Sequence, residues 1–241
     1  MRKAFSTVAR YLMGTITHVS TSDSVAALTF DDGPHAEFTP RVLEILDRYK
    51  AVGTFFMTGE AAKQHPDLVR EVAQAGHAIG NHSWDHSSFP LLTGKERRTQ
   101  IRRCEEVVAP YGQKLFRPPY GHQNIASRLD LLWLGYRVIT WNVNTRDWLD
   151  HDPNWIVERL MKKVQPGSVI LFHDSLNLAL KEGYAQRWPT IEAVNILLKR
   201  IGDQYRFVTI PKLLEHGRPI RQNWYKEADE DWLSDLKKIK V

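Results

Sequence analysis

Seven short, mostly apolar runs recur along this chain with helical stretches between them, and most end on a polar residue that packing alone would not select. They fall at Val25–Phe30, Thr54–Met57, Ala78–Gly80, Lys114–Phe116, Tyr136–Asn142, Ser168–Phe172 and Arg206–Thr209. Runs without a polar face predict strands covered on both sides, as in a parallel sheet joined by helical crossovers. Between them, Val42, Leu43, Leu46 and Tyr49 form one stripe, predicting a helix capped by Thr39 with Pro40 at its first position. Thr93 and Glu96 read as a capping box ahead of Ile101, Cys104 and Val108, and Asp152-Pro153 opens a helix carrying Trp155, Ile156, Leu160 and Val164. Near-equal spacing and the lack of a Gly-x-Gly-x-x-Gly loop favour a closed or nearly closed α/β barrel over an open nucleotide-binding sheet.

The 241 residues suit one domain with short appendages. The expected division is an extension over 1–24, the main domain over 25–216 and a charged tail over 217–241. Thr15–Val19 is expected to pair with the start of the first strand. In the tail, Trp232, Leu233, Leu236 and Ile239 fall at helical spacing, which predicts a helix packed on the outside. Cys104 is the only cysteine, so no internal disulfide forms, and its place in an amphipathic helix predicts a packed thiol. The formal net charge is +5. Arg97, Arg98, Arg102 and Arg103 are interleaved with Glu96, Glu105 and Glu106, which reads as a solvated helix face. No aromatic-basic motif supports nucleic-acid binding. Met1-Arg2-Lys3 hints at an export signal, but Arg10 interrupts the apolar stretch, which predicts a cytoplasmic protein. Phe5, Val8, Ala9 and Leu12 fit a short docking helix, with a membrane-surface anchor as the weaker reading.

Chemistry-bearing residues gather where strands end. In Thr29-Phe30-Asp31-Asp32-Gly33-Pro34, an apolar strand runs into two carboxylates, which are costly to bury unless paired or metal-bound. His82 and His86 are four apart, so a helical turn there sets both imidazoles on one face. Two histidines and one carboxylate give three metal ligands and leave positions open, the catalytic arrangement. Only one of two consecutive acids then faces the metal, freeing the other to act as a base. Arg117-Pro118-Pro119-Tyr120-Gly121 is a rigid turn whose first N–H after the prolines, that of Tyr120, is suited to an oxyanion, while Arg117 can clamp a carboxylate. His173 stands where an apolar strand meets solvent, and Asp147 at the preceding strand end is a partner that keeps it protonated.

These five motifs, in order from Thr29 to Asp174, make the chain resemble the polysaccharide deacetylases of the NodB-homology type, carbohydrate esterase family 4, over most of the domain to about Pro211. The resemblance implies a distorted (β/α)7-type barrel and a hydrolase dependent on a divalent metal, usually zinc, with cobalt, nickel and manganese as alternatives. It implies Asp31 as catalytic base, Asp32, His82 and His86 as metal ligands, Arg117 as the group orienting the base, and Tyr120 as amide donor. It further implies Asp147 as the acid tuning a catalytic His173, Trp148 and Leu171 as walls around an acetyl methyl, and Pro118, Pro119 and Tyr120 lining the substrate side. The expected reaction is removal of N-acetyl groups from an N-acetylhexosamine carbohydrate. The alternatives are a non-sugar amide, an O-acetyl ester, or a barrel that only binds sugar. The fourth motif departs from the family pattern: Asn144 stands where an Asp is common, three positions before the intact Asp147-Trp148 pair. An Fe(II) oxygenase would use the same ligand types, on a different fold.

Overall fold

The structure, a computed structural model, describes residues 14–149, 152–179 and 182–222. The expected helices at Phe5–Leu12 and Trp232–Ile239 lie outside them. In chain order the described elements are β1 (Thr15–Ser20), β2 (Val25–Asp31), α1 (Phe38–Arg48), β3 (Gly53–Met57), α2 (Gly59–Gln64), α3 (Pro66–Gln74), β4 (Ala78–Asn81), α4 (Gly94–Val108), β5 (Gly112–Phe116), α5 (Ile125–Trp133), β6 (Arg137–Val138), β7 (Val143–Asn144), α6 (Pro153–Met161), β8 (Val169–His173), α7 (Trp188–Ile201), β9 (Arg206–Phe207), α8 (Ile210–Leu213) and β10 (Arg218–Gln222). The main sheet runs β6-β5-β4-β3-β2-β8-β7, with β9 added beside the first residues of β2. Its pairings are all parallel, as the βα alternation predicts, and it curls into an incompletely closed barrel. Among the described residues no helix is long and apolar enough to cross a membrane.

Side chains alternate across β2 with the strand period of two. Ala26, Leu28 and Phe30 face the layer shared with α1 and α7, where Phe30 stacks on Phe55 at 4.9 Å. Val25 and Ala27 join Phe56, Leu115, Ile139 and Val169 in a second cluster inside the curl. Each buried valine, leucine, isoleucine or phenylalanine among them contributes about 1.5–3 kcal/mol. The same alternation puts Thr29 and Asp31 on the interior side, so the register that builds the core also aims the first carboxylate into the barrel.

Several expectations are corrected. The run Tyr136–Asn142 is not one strand: β6 pairs with β5, whereas β7 pairs with β8. Between them the chain crosses from one margin of the sheet to the other, with Thr140 N–H donating to Ile16 and Asn142 N–H to Val169. β1 pairs antiparallel with β10, not with the start of β2, and it bridges to Ile139 and Ser168, so it touches both margins. Thr39 does not cap α1. His35 Nδ1 accepts from the N–H groups of Glu37 and Phe38 instead, and the Thr39 hydroxyl donates to Asp174 at 2.5 Å. The arginines of α4 are not simply solvated. Arg97 is buried, Arg97 and Arg98 grip Asp130 of α5 at 2.6 Å, and Arg103 stacks 3.7 Å over Trp84. The capping box of Thr93 and Glu96 and the Asp152 cap form as expected.

Candidate active site

Asp32, His82 and His86 are all buried, and one ligand atom from each lies within 4.8 Å of the others. Asp32 Oδ1 is 3.3 Å from His82 Nε2 and 3.2 Å from His86 Nε2. The second Asp32 oxygen accepts the Asn177 N–H at 2.9 Å, leaving Oδ1 buried without a hydrogen-bond partner. Burial alone would raise the Asp32 pKa, but His86, His82 and His173 hold it well below the usual carboxylate range. His82 Nδ1 lies 2.7 Å from the Arg117 carbonyl. A carbonyl only accepts, so Nδ1 carries the hydrogen and, in the neutral ring, Nε2 presents its lone pair towards Asp32. An orphaned carboxylate oxygen facing two imidazole nitrogens fits a divalent cation, and the donor set leaves coordination positions open.

The histidine pair is not helical, contrary to expectation. His82–Ser88 is a loop in which Ser83 and His86 have φ of 68° and 60°. Of six non-glycine residues with positive φ among the described residues, five flank the site: Asp32, Ser83, His86, Tyr120 and Arg146. Each such conformation costs on the order of 1–3 kcal/mol and persists only where surroundings impose it. Here Ser83 N–H donates to Asn81 Oδ1, His86 N–H to Ser83 Oγ, and the Trp84 and Asp85 N–H groups share Gln100 Oε1 from α4. Asp85, between the two histidines, accepts from Ser87 and Gln100 and so caps the turn.

Asp31 Oδ1 accepts from Arg117 Nη1 at 2.7 Å, and its Oδ2 is 3.8 Å from His82 Nε2. Arg117 is fully buried. It also donates to Thr29 Oγ1 and to the carbonyls of Ile139 and Thr140, while its guanidinium lies 4.1 Å over the Phe56 ring. Burial works against its charge and Asp31 supports it. After it, Pro118 and Pro119 are buried, and a tight turn ties the Gly121 and His122 N–H groups to their carbonyls. The Tyr120 ring packs edge-on against His86 at 4.4 Å; burial, with help from Asp32, pushes its hydroxyl pKa up and keeps it neutral.

His173 Nδ1 bonds Asp147 Oδ1 at 2.9 Å, and its backbone N–H donates to Asp147 Oδ2. Burial would lower the imidazole pKa, but Asp147, supported by Asp32 and Asp31, raises it to about 9. Sequence reasoning missed the groups that hold Asp147. Thr190 donates to Asp147 Oδ2, the Thr145 hydroxyl lies within 3.0 Å of Oδ1 and 2.6 Å of the Leu171 carbonyl, sharing its one hydrogen between them, and buried Arg187 donates to the Asp147 backbone carbonyl. Arg187 comes from a stretch with no motif, just ahead of α7. Leu171 lies on the interior face of β8, buried, and Trp148 is partly buried after Asp147. Asn144 caps its own turn, accepting the Arg146 N–H.

His77 and His122 do structural work. His77 accepts from the Gly53 N–H, and burial lowers its pKa to about 4. His122 is buried, bonds Ser88 Oγ and lies behind Tyr120. Asp174 packs so closely on the backbone of Gly33 that a Cβ there would fall 2.2 Å from its carboxylate. Burial pushes the Asp174 pKa up to about 7. Cys104 is packed as expected, its thiol pushed up to about 12 by burial.

Residues 18–139 match the family model for polysaccharide deacetylase. A peptidoglycan-N-acetylglucosamine deacetylase of Bacillus cereus is 34% identical over 199 residues, covering 80% of this chain and 69% of that protein. A chitooligosaccharide deacetylase of Azorhizobium caulinodans is 35% identical over 167 residues, covering 68% and 80%. Among solved structures, the Bc1960 peptidoglycan N-acetylglucosamine deacetylase in complex with 4-naphthalen-1-yl-N-oxidanyl-benzamide superposes with a TM-score of 0.79 at 29% identity, over 90% of this chain and 99% of that one.

Proposed function

The chain belongs to the polysaccharide deacetylase family, and from that premise we propose that it hydrolyses N-acetyl groups of an N-acetylhexosamine carbohydrate, a peptidoglycan strand or a chitooligosaccharide, releasing acetate. The observation that carries this reading is the grouping of a metal-donor triad with two buried ion pairs, Asp31–Arg117 and Asp147–His173. Asp32, His82 and His86 are the proposed ligands, and their mixed nitrogen and oxygen donors suit zinc. When bound, the cation supplies Lewis-acid polarisation of the acetamide carbonyl and makes water far more acidic, from a pKa of about 16 towards roughly 7.

The chain's own groups do the rest. Arg117 occupies one oxygen of Asp31, so the other is the proton acceptor for the attacking water. Asp147 fixes the orientation of His173 and holds it protonated near neutral pH, so it can supply the proton that lets the amine leave. The Tyr120 N–H is assigned to the developing oxyanion; one such donor is worth about 3–4 kcal/mol of barrier. Pro118 and Pro119 keep that turn rigid, and Leu171 and Trp148 bound the space for the acetyl methyl.

The test is acetate release from acetylated chitooligosaccharides and from peptidoglycan, with metal analysis of two variants. Asp31→Asn retains metal and loses turnover, whereas His82→Ala loses both. Wild-type turnover in Asp31→Asn would refute the base assignment.

A further inference from the structure

Helix α5 turns an apolar face outward. Ile125, Leu129, Leu132 and Trp133 are 60%, 52%, 47% and 69% exposed, at the spacing of a single helical stripe. The opposite face, with Ser127, Arg128 and Leu131, is buried in the fold. Leu91, also exposed, lies in the short turn Phe89–Leu91 packed beside this helix. Exposed apolar residues scattered singly need no explanation, but a contiguous stripe rimmed by charge marks a surface that something covers. The rim carries two arginines: the Arg98 and Arg102 guanidinium groups lie 5.9 and 5.7 Å from the Trp133 ring, Arg98 also pairing with Asp130 of α5.

We infer that the chain's own segment after Gln222 covers this face, setting Trp232, Leu233, Leu236 and Ile239 on the α5 stripe and its acidic residues against Arg98 and Arg102. Three observations favour that occupant. The first is where the described chain ends. Gln222 is the register partner of Thr15, whose hydroxyl donates to the carbonyl of Val138 in β6, the strand that directly follows α5. At about 5 Å per strand, Gln222 is roughly 10 Å from β6. The second is reach. Residues 223–231 can span up to roughly 30 Å, and ten residues from 232 as a helix extend about 15 Å, close to the length of α5. The third is charge. Glu227, Asp229, Glu230, Asp231 and Asp235 surround the start of the apolar pattern, with only Lys226 nearby, and are complementary to the arginine rim, while Lys237, Lys238 and Lys240 lie at its far end. The chain before Gly14 leaves at the same corner but carries Arg2, Lys3 and Arg10 and no acid, so it meets that rim with like charge.

The test uses the full-length chain with Leu129→Cys and Leu236→Cys, treated with a short bismaleimide. Cys104 is buried and does not compete. A link within one chain is expected, with none when Glu192→Cys on α7 is paired with Leu236→Cys. Amide hydrogen exchange across α5 should rise at least tenfold in the full-length Leu233→Asp/Leu236→Asp variant. Links only between chains would assign the face to a second copy and overturn the inference. So would sedimentation of the wild-type chain with phosphatidylglycerol vesicles in a Trp133-dependent manner, or α5 exchange that the tail substitutions leave unchanged.

Discussion

Replacing Asp147 by asparagine removes one charge from the His173 pair and nearly no volume. In the folded protein, burial opposes a charged His173, while Asp147 at 2.9 Å, then Asp32 and Asp31, lift its pKa from 6.5 to about 9. Without the Asp147 charge, the leading upward pull is gone and burial returns the imidazole to about 6.5 or below. At pH 8 the protonated fraction then drops from about 0.9 to about 0.03, roughly a thirtyfold loss of the form that can donate to the leaving amine. A cation held by Asp32 offsets part of the remaining pull, so it shifts wild type and variant together and leaves their difference to Asp147. The assay is acetate release against pH, from 5 to 10, with both proteins loaded with the same metal. The alkaline limb of kcat should move acid-ward by two units or more, and the deficit should shrink as pH falls towards 6. Stability gives an independent check. A raised histidine pKa stabilises the fold below about 6.5 and that contribution disappears as pH climbs through about 9, so the wild-type denaturation midpoint declines across that window and the variant's does not. An alkaline limb within half a unit of wild type would show that Asp147 does not set the state of His173, and the assigned acid would have to be given up.

Gly33→Ala places a methyl 2.2 Å from the buried Asp174 carboxylate and should destabilise the protein by about 1–3 kcal/mol in urea titration, with weaker metal uptake because Asp32 is adjacent; an unchanged midpoint would contradict it. Asp174→Asn tests the raised pKa of that group. The unfolded carboxyl ionises near 4 while the folded one waits until about 7, so wild-type stability falls between those values as pH rises, and the asparagine protein should lack that slope when midpoints at pH 4.5 and 7.5 are compared.

Much of the candidate site was legible because its residues sit at strand ends, where period two and topology leave little choice. Once Val25 to Phe30 reads as a buried parallel strand, Asp31 must follow Val25, Ala27 and Thr29 to the barrel interior, and the crossovers bring the other strand ends to the same rim. Arg117 follows β5 in the same way, and His173 is the last residue of β8. What was not legible depends on contacts distant in sequence. Arg187 and Thr190 hold Asp147 from about forty residues away, and no local pattern distinguishes an arginine bound for the core from one bound for solvent. The α4 arginines were misjudged for the same reason: their partner Asp130 belongs to another helix. The stretch Tyr136–Asn142 defeated a strand reading because its apolar residues serve both margins of an unclosed sheet in turn.

The histidine pair carries the more general lesson about spacing. A separation of four suggested a helical face, and the two rings do meet, with centroids 4.9 Å apart, yet the backbone between them is a loop with two residues in the left-handed region. A regular helix would have paired part of this backbone through its own i to i−4 bonds. The loop instead depends on Asn81, Ser83 and Gln100 for its hydrogen bonds, so the position of both histidines is tied to β4 and α4. Asp32 is likewise left-handed, with Thr58 donating to its carbonyl and Asn177 donating to its side chain. Two of the three donors, Asp32 and His86, therefore stand on strained backbone, and the third, His82, directly precedes the left-handed Ser83; separate elements over-determine these positions, and the fold holds two imidazoles and a buried, unpartnered carboxylate oxygen close together before any ligand arrives. Such an arrangement lowers the ordering cost of binding a cation, and it places the energetic burden on residues like Gln100 that carry no chemistry of their own.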